Sequence, residues 1–219
     1  MNRLKPVIPP ISLNGKKKIK FEIEEDISVQ KILNRGLGAG GANTNLNGKA
    51  FEQLLSQEER LLQKGYTRNV MNTTKFGYYL SQHYSDRTIY FFQQSGLGTY
   101  LKNKFNITIN RYPDESFIVE YGSGIKKLHI IEMKHQNVSG SVDIKLWAAP
   151  TLKREYQFIV GEQFQVEYAL SVSEFLEKKF DTDNNYKILY HHLFKEDGIQ
   201  VFFANHDSYP TEVDRWIGM

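Results

Sequence analysis

The residues with the clearest capacity for chemistry are Asp114, Glu132 and Lys134, and one predicted hairpin holds all three. Two apolar runs rich in β-branched side chains, 117–119 and 128–131, flank a Gly-Ser-Gly sequence, which predicts two antiparallel strands and a turn. Asp114 precedes the first strand, whereas Glu132 and Lys134 end the second and share one of its faces. Two carboxylates and an ammonium group are therefore expected at one end of the hairpin.

The register of this hairpin depends on the width of its turn. A turn centred on residues 123–124 pairs Glu132 near Glu115, whereas a wider loop shifts the pairing by a residue or two. Both registers bring Asp114 beside the acid and the lysine that end the second strand.

Two carboxylates beside a lysine suit the hydrolysis of a phosphodiester. Mg²⁺ takes one or two carboxylates and keeps several waters, so Asp114, Glu132 and the main-chain carbonyl of Met133 form a suitable ligand set. The metal polarises a phosphoryl oxygen and acidifies its bound water. Lys134 would orient or deprotonate the attacking water, or offset charge in the transition state. The predicted cofactor is Mg²⁺.

The alternative interpretation is structural: an exposed hairpin with a Glu132–Lys134 salt bridge on its solvent face. Two observations argue against it. Ile130, Glu132 and Lys134 have the same parity in an otherwise apolar strand, and Asp114 stands where a metal site requires an acid.

The order Pro113-Asp114, a gap, and then Glu132-Met133-Lys134 resembles the PD-(D/E)XK nuclease motif. The resemblance implies that Asp114 and Glu132 bind the metal and that Lys134 is catalytic. It also implies an α/β protein with a restriction-endonuclease-like core, in which helices flank a mixed β-sheet.

A second segment carries the same resemblance. Asn43, Thr44 and Asn45 follow a glycine-rich loop and lead into a predicted helix N-terminus, a setting that favours contacts with phosphates or base edges. The whole stretch, Gly-Gly-Ala-Asn-Thr-Asn and then Gly-Lys-Ala-Phe-Glu, is similar to a segment of type II restriction endonucleases. We therefore expect these three residues to bind DNA. The alternative is that the asparagines only shape the turn and cap the helix, which their chemistry also allows.

Glu52 has two interpretations. In the nuclease fold, a helix before the hairpin often carries a glutamate that faces the metal site, and the resemblance assigns Glu52 to that place among the catalytic residues. A glutamate in the first turn of a helix is also favoured by the helix dipole alone.

The segment after the hairpin, 134–146, resembles the same family and departs from it at Ile144, where an acid is common. The resemblance places Gln136 among the DNA-binding residues. It covers 36–52 and 111–146, less than a third of the chain.

The resemblance implies a Mg²⁺-dependent, sequence-specific endonuclease that acts on double-stranded DNA, as a type II restriction enzyme does. A homodimer is expected because two-fold symmetry matches a palindromic site. A cognate DNA methyltransferase is expected genetically rather than as a stable complex. The alternatives are a repair or junction-resolving nuclease of the same fold, and a DNA-binding module without catalytic activity.

The composition fits one folded domain. The chain has 219 residues, a net charge of +3 and no cysteine, which excludes disulfides, zinc–thiolate sites and cysteine nucleophiles. No apolar run reaches the length of a membrane span, and the N-terminus has no apolar segment typical of a signal peptide. A cytoplasmic protein without membrane contact is expected. We expect an N-terminal arm over 1–35 and a nuclease domain over 36–219.

The remaining elements follow from periodicity and from glycine or proline positions. The sequence predicts a helix from Asn47 to Gly65, a second helix that ends at 100–105, and a possible strand start at 107–109. Further along, it predicts a helical segment kinked at Pro150, a strand at 164–172, helices at 173–179 and 186–194, and a last strand at 199–203. This order favours a mixed sheet.

Overall fold

The computed structural model describes residues 51–52, 55–135 and 142–219. The predicted arm over 1–35, its predicted boundary at residue 36 and the glycine-rich loop lie outside the described residues. None of the described helices is long and apolar enough to cross a membrane.

The described strands form one seven-stranded sheet, and its strands lie side by side in chain order. Strands β1 to β5 are antiparallel, and β5, β6 and β7 are parallel. The expected mixed sheet is confirmed. The strands are β1 (Thr67–Val70), β2 (Tyr78–His83), β3 (Arg87–Gln93), β4 (Glu115–Tyr121), β5 (Lys126–Lys134), β6 (Gln165–Val172) and β7 (Ile199–Phe203).

Helices flank this sheet and connect its strands. The described helices are α1 (Glu58–Gln63), α2 (Ser95–Phe105), α3 (Val142–Trp147), α4 (Ala149–Val160), α5 (Glu174–Thr182), α6 (Asn184–His191) and α7 (Tyr209–Ile217). A short 3-10 helix, Gly161–Gln163, precedes β6, and a π-helix, His192–Glu196, follows α6. The fold class is therefore α/β, as the sequence predicts.

Strand β5 lies in the interior of the sheet, with a hydrophobic cluster on each face. Leu128 and Ile130 belong to one cluster, which also includes side chains of α2, α4 and α6. Ile131 and Met133 belong to the other cluster, which includes side chains of α1 and α7. Because alternate residues of a strand point to opposite faces, both faces of β5 are apolar until the strand ends in charged residues.

The predicted hairpin is confirmed. Strand β4 pairs with β5 in a register that places Glu115 opposite Ile131 and Ser116 opposite Ile130. Gly124 lies in the turn with φ of +89°, a conformation that side chains with a Cβ atom rarely adopt. The strands predicted near 164–172 and at 199–203 are also confirmed as β6 and β7.

Two predicted elements are wrong. The helix expected up to Gly65 is interrupted at Ser56 and Gln57, because the main-chain N–H of Gln57 donates to the Glu115 carboxylate, 2.9 Å away, and not to a helical carbonyl. Residues 107–109 are not a strand, although Ile107 and Ile109 are buried in the core. Alternating apolar residues in a sequence usually indicate a strand, but here the alternating residues are buried in a segment that connects α2 to β4.

Candidate functional site

The open end of the β4–β5 hairpin brings Asp114 and Glu132 together. Continuing the observed register by one step places Asp114 opposite Glu132. The Asp114 Oδ2 atom accepts a hydrogen bond of 2.7 Å from the main-chain N–H of Met133, the residue between Glu132 and Lys134. This bond fixes the aspartate against the end of β5.

Lys134 and Glu132 form an ion pair on the same face of β5. The Lys134 Nζ atom lies 2.7 Å from Glu132 Oε2. The two side chains are only 14% and 18% exposed. The alternative interpretation correctly expected this salt bridge, but it is largely buried and does not lie on a solvent face.

Burial dominates the electrostatics of Asp114. Desolvation raises its pKa to about 7, and repulsion from Glu132 adds to that effect. The charge of Lys134 and the Met133 hydrogen bond act in the opposite direction but are smaller, and Glu52 adds a further small increase. Near neutral pH, a proton and a cation would therefore compete for this carboxylate.

Asp114 and Met133 line a cleft of about 650 Å³. The cleft is rich in acids, with one lysine among its lining side chains. Its charged lining residues are Glu52, Glu58, Glu59, Lys75, Asp114 and Glu115. One of these acids, Glu58, is ion-paired with Arg68 and accepts a hydrogen bond of 2.7 Å from the Tyr78 hydroxyl. Such a lining attracts cations more strongly than phosphates, so an anionic substrate would need a cation at this site.

Glu115 is a buried acid that sequence reasoning missed. Its side chain is 2% exposed, its Oε1 atom accepts the Gln57 N–H, and its Oε2 atom has no hydrogen-bond partner. Burial raises its pKa to about 8. Its place at the start of the apolar strand β4 was the available signal, because a charged residue beside buried strand neighbours is itself expected to be buried.

Two tyrosines near the site were also missed. The Tyr156 hydroxyl, on α4, donates to the main-chain carbonyl of Arg111 at 3.2 Å. The Tyr168 hydroxyl, on β6, is buried without a partner. After burial, the charge of Glu132 is the largest influence that raises the pKa of each hydroxyl. No sequence pattern indicates a role for either residue, since both are typical of ordinary core aromatics.

The predicted site residues fall into two groups. Asp114, Glu132, Met133 and Lys134 converge at the end of the hairpin, and Glu52 lines the same cleft as Asp114. The predicted DNA-binding residues lie outside the described residues. They are Asn43, Thr44, Asn45 and Gln136.

The donor set fits Mg²⁺ better than a metal that needs several protein ligands. Within the described part of the chain, no group of three or more His, Cys, Asp or Glu residues could hold a metal ion. Two carboxylates and one main-chain carbonyl are hard oxygen donors, and Mg²⁺ completes its shell with water. Asp114 and Glu132 therefore remain the candidate ligands, with the Met133 carbonyl beside them.

No protein-family model, curated protein or solved structure matches this chain. The resemblance to PD-(D/E)XK nucleases therefore stays a prediction carried by the motif residues.

Proposed function

We propose that this protein is a Mg²⁺-dependent, sequence-specific endonuclease of double-stranded DNA, of the type II restriction class, built on a restriction-endonuclease-like core. One observation carries the proposal. Asp114, Glu132 and Lys134 meet in a largely buried cluster at the end of a central strand, although the two acids are 18 positions apart in sequence.

Burial of this cluster supports a chemical role. A Lys–Glu pair that is mostly removed from water loses hydration energy that its attraction only partly restores. Burial also raises the pKa of Asp114, which means that its charged form is disfavoured. An aspartate on the surface would avoid this cost of desolvation. Ionisable groups whose burial is costly are typical of functional sites, and Asp114, the acid with the raised pKa, lines the cleft.

The roles of the residues follow from their chemistry. Asp114 and Glu132 would hold the cation, which supplies Lewis-acid activation of a phosphodiester and of water. Lys134 carries no lone pair in its charged form, so it would orient the attacking water or stabilise negative charge on the phosphoryl group. In its neutral form, Lys134 would take a proton from that water.

The choice of DNA as substrate rests on the resemblance of 36–52 and 111–146 to type II restriction endonucleases. Cutting both strands of a palindromic site favours a homodimer, and a cognate methyltransferase would protect host DNA. The second candidate is a repair or junction-resolving nuclease, which would use the same metal cluster on a branched substrate. A DNA-binding module without activity is disfavoured because both acids and the lysine are present.

The test is incubation of the purified protein with linear DNA of phage length and, in parallel, with branched DNA, each in Mg²⁺ and in EDTA. We expect discrete fragments in Mg²⁺ and intact DNA in EDTA. Cleavage of branched DNA alone would favour the junction-resolving enzyme. Retardation of DNA without cleavage under any metal condition would leave only the binding module.

A further inference from the structure

Tyr168 occupies an unusual place beside the candidate metal site. It lies on β6 opposite Ile130 of β5, and both side chains belong to the same hydrophobic cluster. Because Glu132 is two residues beyond Ile130, its side chain leaves β5 on the face that Tyr168 shares. Tyr168 therefore lies beside the end of β5, on the same face of the sheet as Glu132.

The hydroxyl of Tyr168 is buried without a hydrogen-bond partner in the described structure. The residue is 1% exposed, and its oxygen atom is buried and forms no hydrogen bond. A buried hydroxyl without a partner destabilises a fold, and a phenylalanine would fill the same space without that cost. The hydroxyl is therefore unexplained by packing.

Other tyrosines of the same fold satisfy their hydroxyl groups. Tyr156, a neighbour whose ring centre lies 6.5 Å from that of Tyr168, donates to the Arg111 carbonyl. Tyr209 lies 3.0 Å from the Ser171 hydroxyl, and Tyr66 donates to the Met219 sulfur at 3.4 Å. In contrast, the Tyr168 hydroxyl is a donor whose hydrogen bond is not used in the described structure.

The two carboxylates that act on Tyr168 are those of the candidate metal ligands, and their effect is partly opposed by the charge of Arg111. Burial is the largest influence that raises the pKa of its hydroxyl, and Glu132 and Asp114 raise it further. The hydroxyl consequently keeps its proton at neutral pH. It is a neutral hydrogen-bond donor within electrostatic reach of two carboxylates.

We propose that Tyr168 is a positioning residue of this site, whose hydroxyl donates a hydrogen bond to the Glu132 carboxylate when a divalent cation binds. The inference rests on the proposed function, because it requires Glu132 to be a metal ligand. In the described structure, Glu132 Oε2 is engaged by Lys134. A carboxylate accepts several hydrogen bonds, so one oxygen can meet a cation while a donor fixes the orientation of the group.

The experiment is a calorimetric titration of Mn²⁺ alone into the wild type and into Tyr168→Phe, without DNA. We expect the variant to bind Mn²⁺ about 10- to 100-fold more weakly, the range typical for losing a donor that orients a metal ligand. The melting temperature of the metal-free variant should stay the same or rise, because the lost hydroxyl has no partner. A merely structural tyrosine would change melting and leave Mn²⁺ affinity unchanged.

Tyr66→Phe is the matched control. It also removes one buried hydroxyl, but that hydroxyl bonds to Met219 and not to the site. We expect its Mn²⁺ affinity to equal that of the wild type. A double variant, Glu132→Ala with Tyr168→Phe, should bind Mn²⁺ no more weakly than Glu132→Ala alone, because the tyrosine acts through the glutamate side chain.

The outcomes separate the two proposals. If the wild type binds no Mn²⁺, the proposed function fails. If the wild type binds Mn²⁺ and Tyr168→Phe binds it equally well, only the role of Tyr168 is overturned. If the variant does not fold, a measurement on the wild type still tests the role of Tyr168. Donation of a hydrogen bond by its hydroxyl on Mg²⁺ addition should perturb the ultraviolet absorption of tyrosine. An unchanged spectrum at saturating Mg²⁺ would overturn the inference.

Discussion

Two lysine–glutamate ion pairs in this protein have similar geometry and different surroundings. Lys134 and Glu132, at the end of β5, are 2.7 Å apart and 14% and 18% exposed. Lys178 and Glu174, one turn apart on α5, are 2.5 Å apart and 70% and 60% exposed. At the exposed pair, the hydrogen bond from Lys178 lowers the pKa of Glu174.

Near the buried pair, desolvation has a larger effect on the carboxylate pKa than the neighbouring lysine does. Lys134 also lowers the pKa of its neighbour Asp114, but desolvation outweighs that effect and the pKa rises to about 7. An exposed pair contributes little to stability, and a buried pair repays its desolvation only partly. The difference teaches that two ion pairs of similar length can differ widely in how far their charges are removed from water, and our proposal assigns catalysis to the buried pair.

The largest expected loss of cleavage comes from a change at Asp114, an acid that has no counterpart at the exposed Lys178–Glu174 pair. Asp114→Ala should abolish cleavage by removing a metal ligand, while DNA binding is retained. Without metal, binding should even tighten, because one negative charge near the phosphates is lost. Cleavage assays beside gel retardation measure both effects. Cleavage by this variant at the wild-type rate would refute the assignment of the hairpin.

A matched pair of lysine variants sharpens the comparison. Lys134→Ala should lower the single-turnover cleavage rate by about 100-fold or more, with metal affinity largely retained, because lysine is not a ligand of Mg²⁺. Lys178→Ala, measured at saturating protein, should cleave at the wild-type rate. Loss of metal affinity with normal residual chemistry in Lys134→Ala would contradict this role.

His129 tests the effect of desolvation away from the metal chemistry. Burial lowers its pKa to about 3, and both ring nitrogens lack hydrogen-bond partners. Between the ordinary histidine pKa and pH 3, the unfolded chain binds a proton that the folded chain does not bind. Stability is therefore lost as pH falls below about 6.5, by up to about 1.4 kcal/mol per pH unit.

His129→Phe should remove that component and keep the edge contact with Trp216, whose ring centre is 4.7 Å away. Urea unfolding at pH 7, 6 and 5 measures it. We expect the free energy of unfolding of the variant to exceed that of the wild type by an amount that grows as pH falls. Equal pH slopes for the two proteins would show that desolvation of His129 is not the cause.

The smallest expected effect concerns Lys75, the cation in the lining of the acidic cleft. Its ammonium lies 4.8 Å from the Phe76 ring centre and forms no ion pair with a described residue. Lys75→Ala should weaken DNA binding and reduce the salt slope by about 1, as the loss of one phosphate contact does. Lys153→Ala, whose ammonium bonds to carbonyls of Asp197 and Gly198, is the control. An unchanged slope would remove Lys75 from the DNA interface.

Much of the fold could be predicted from local patterns. Strands β4, β5, β6 and β7 follow from short apolar runs, and Pro150 marks the junction of α3 and α4, where the first turn of a helix tolerates it. Segment 66–90 has no clear periodicity, so the sequence does not indicate where the antiparallel strands β1 to β3 begin and end. Helix α7 was not predicted at all.

The failures have a tertiary cause. The break at Gln57 depends on a hydrogen bond to Glu115, which is 58 residues away in sequence, and no local pattern encodes such a partner. The same limit applies to the site. Spacing predicted that Asp114 meets Glu132 and Lys134, but their burial, the acid Glu115 and the unpartnered hydroxyl of Tyr168 depend on distant elements.

The measurement that tests the central claim most directly compares Glu132→Gln with Glu174→Gln in the cleavage of long DNA in Mg²⁺. Both changes remove the acid of a Lys–Glu pair and keep its shape. We predict that Glu174→Gln yields the same fragments at the wild-type rate, and that Glu132→Gln is slower by about 100-fold or more, since metal-based stabilisation of the transition state is lost. Equal rates and equal Mg²⁺ dependence for Glu132→Gln and the wild type would contradict the claim.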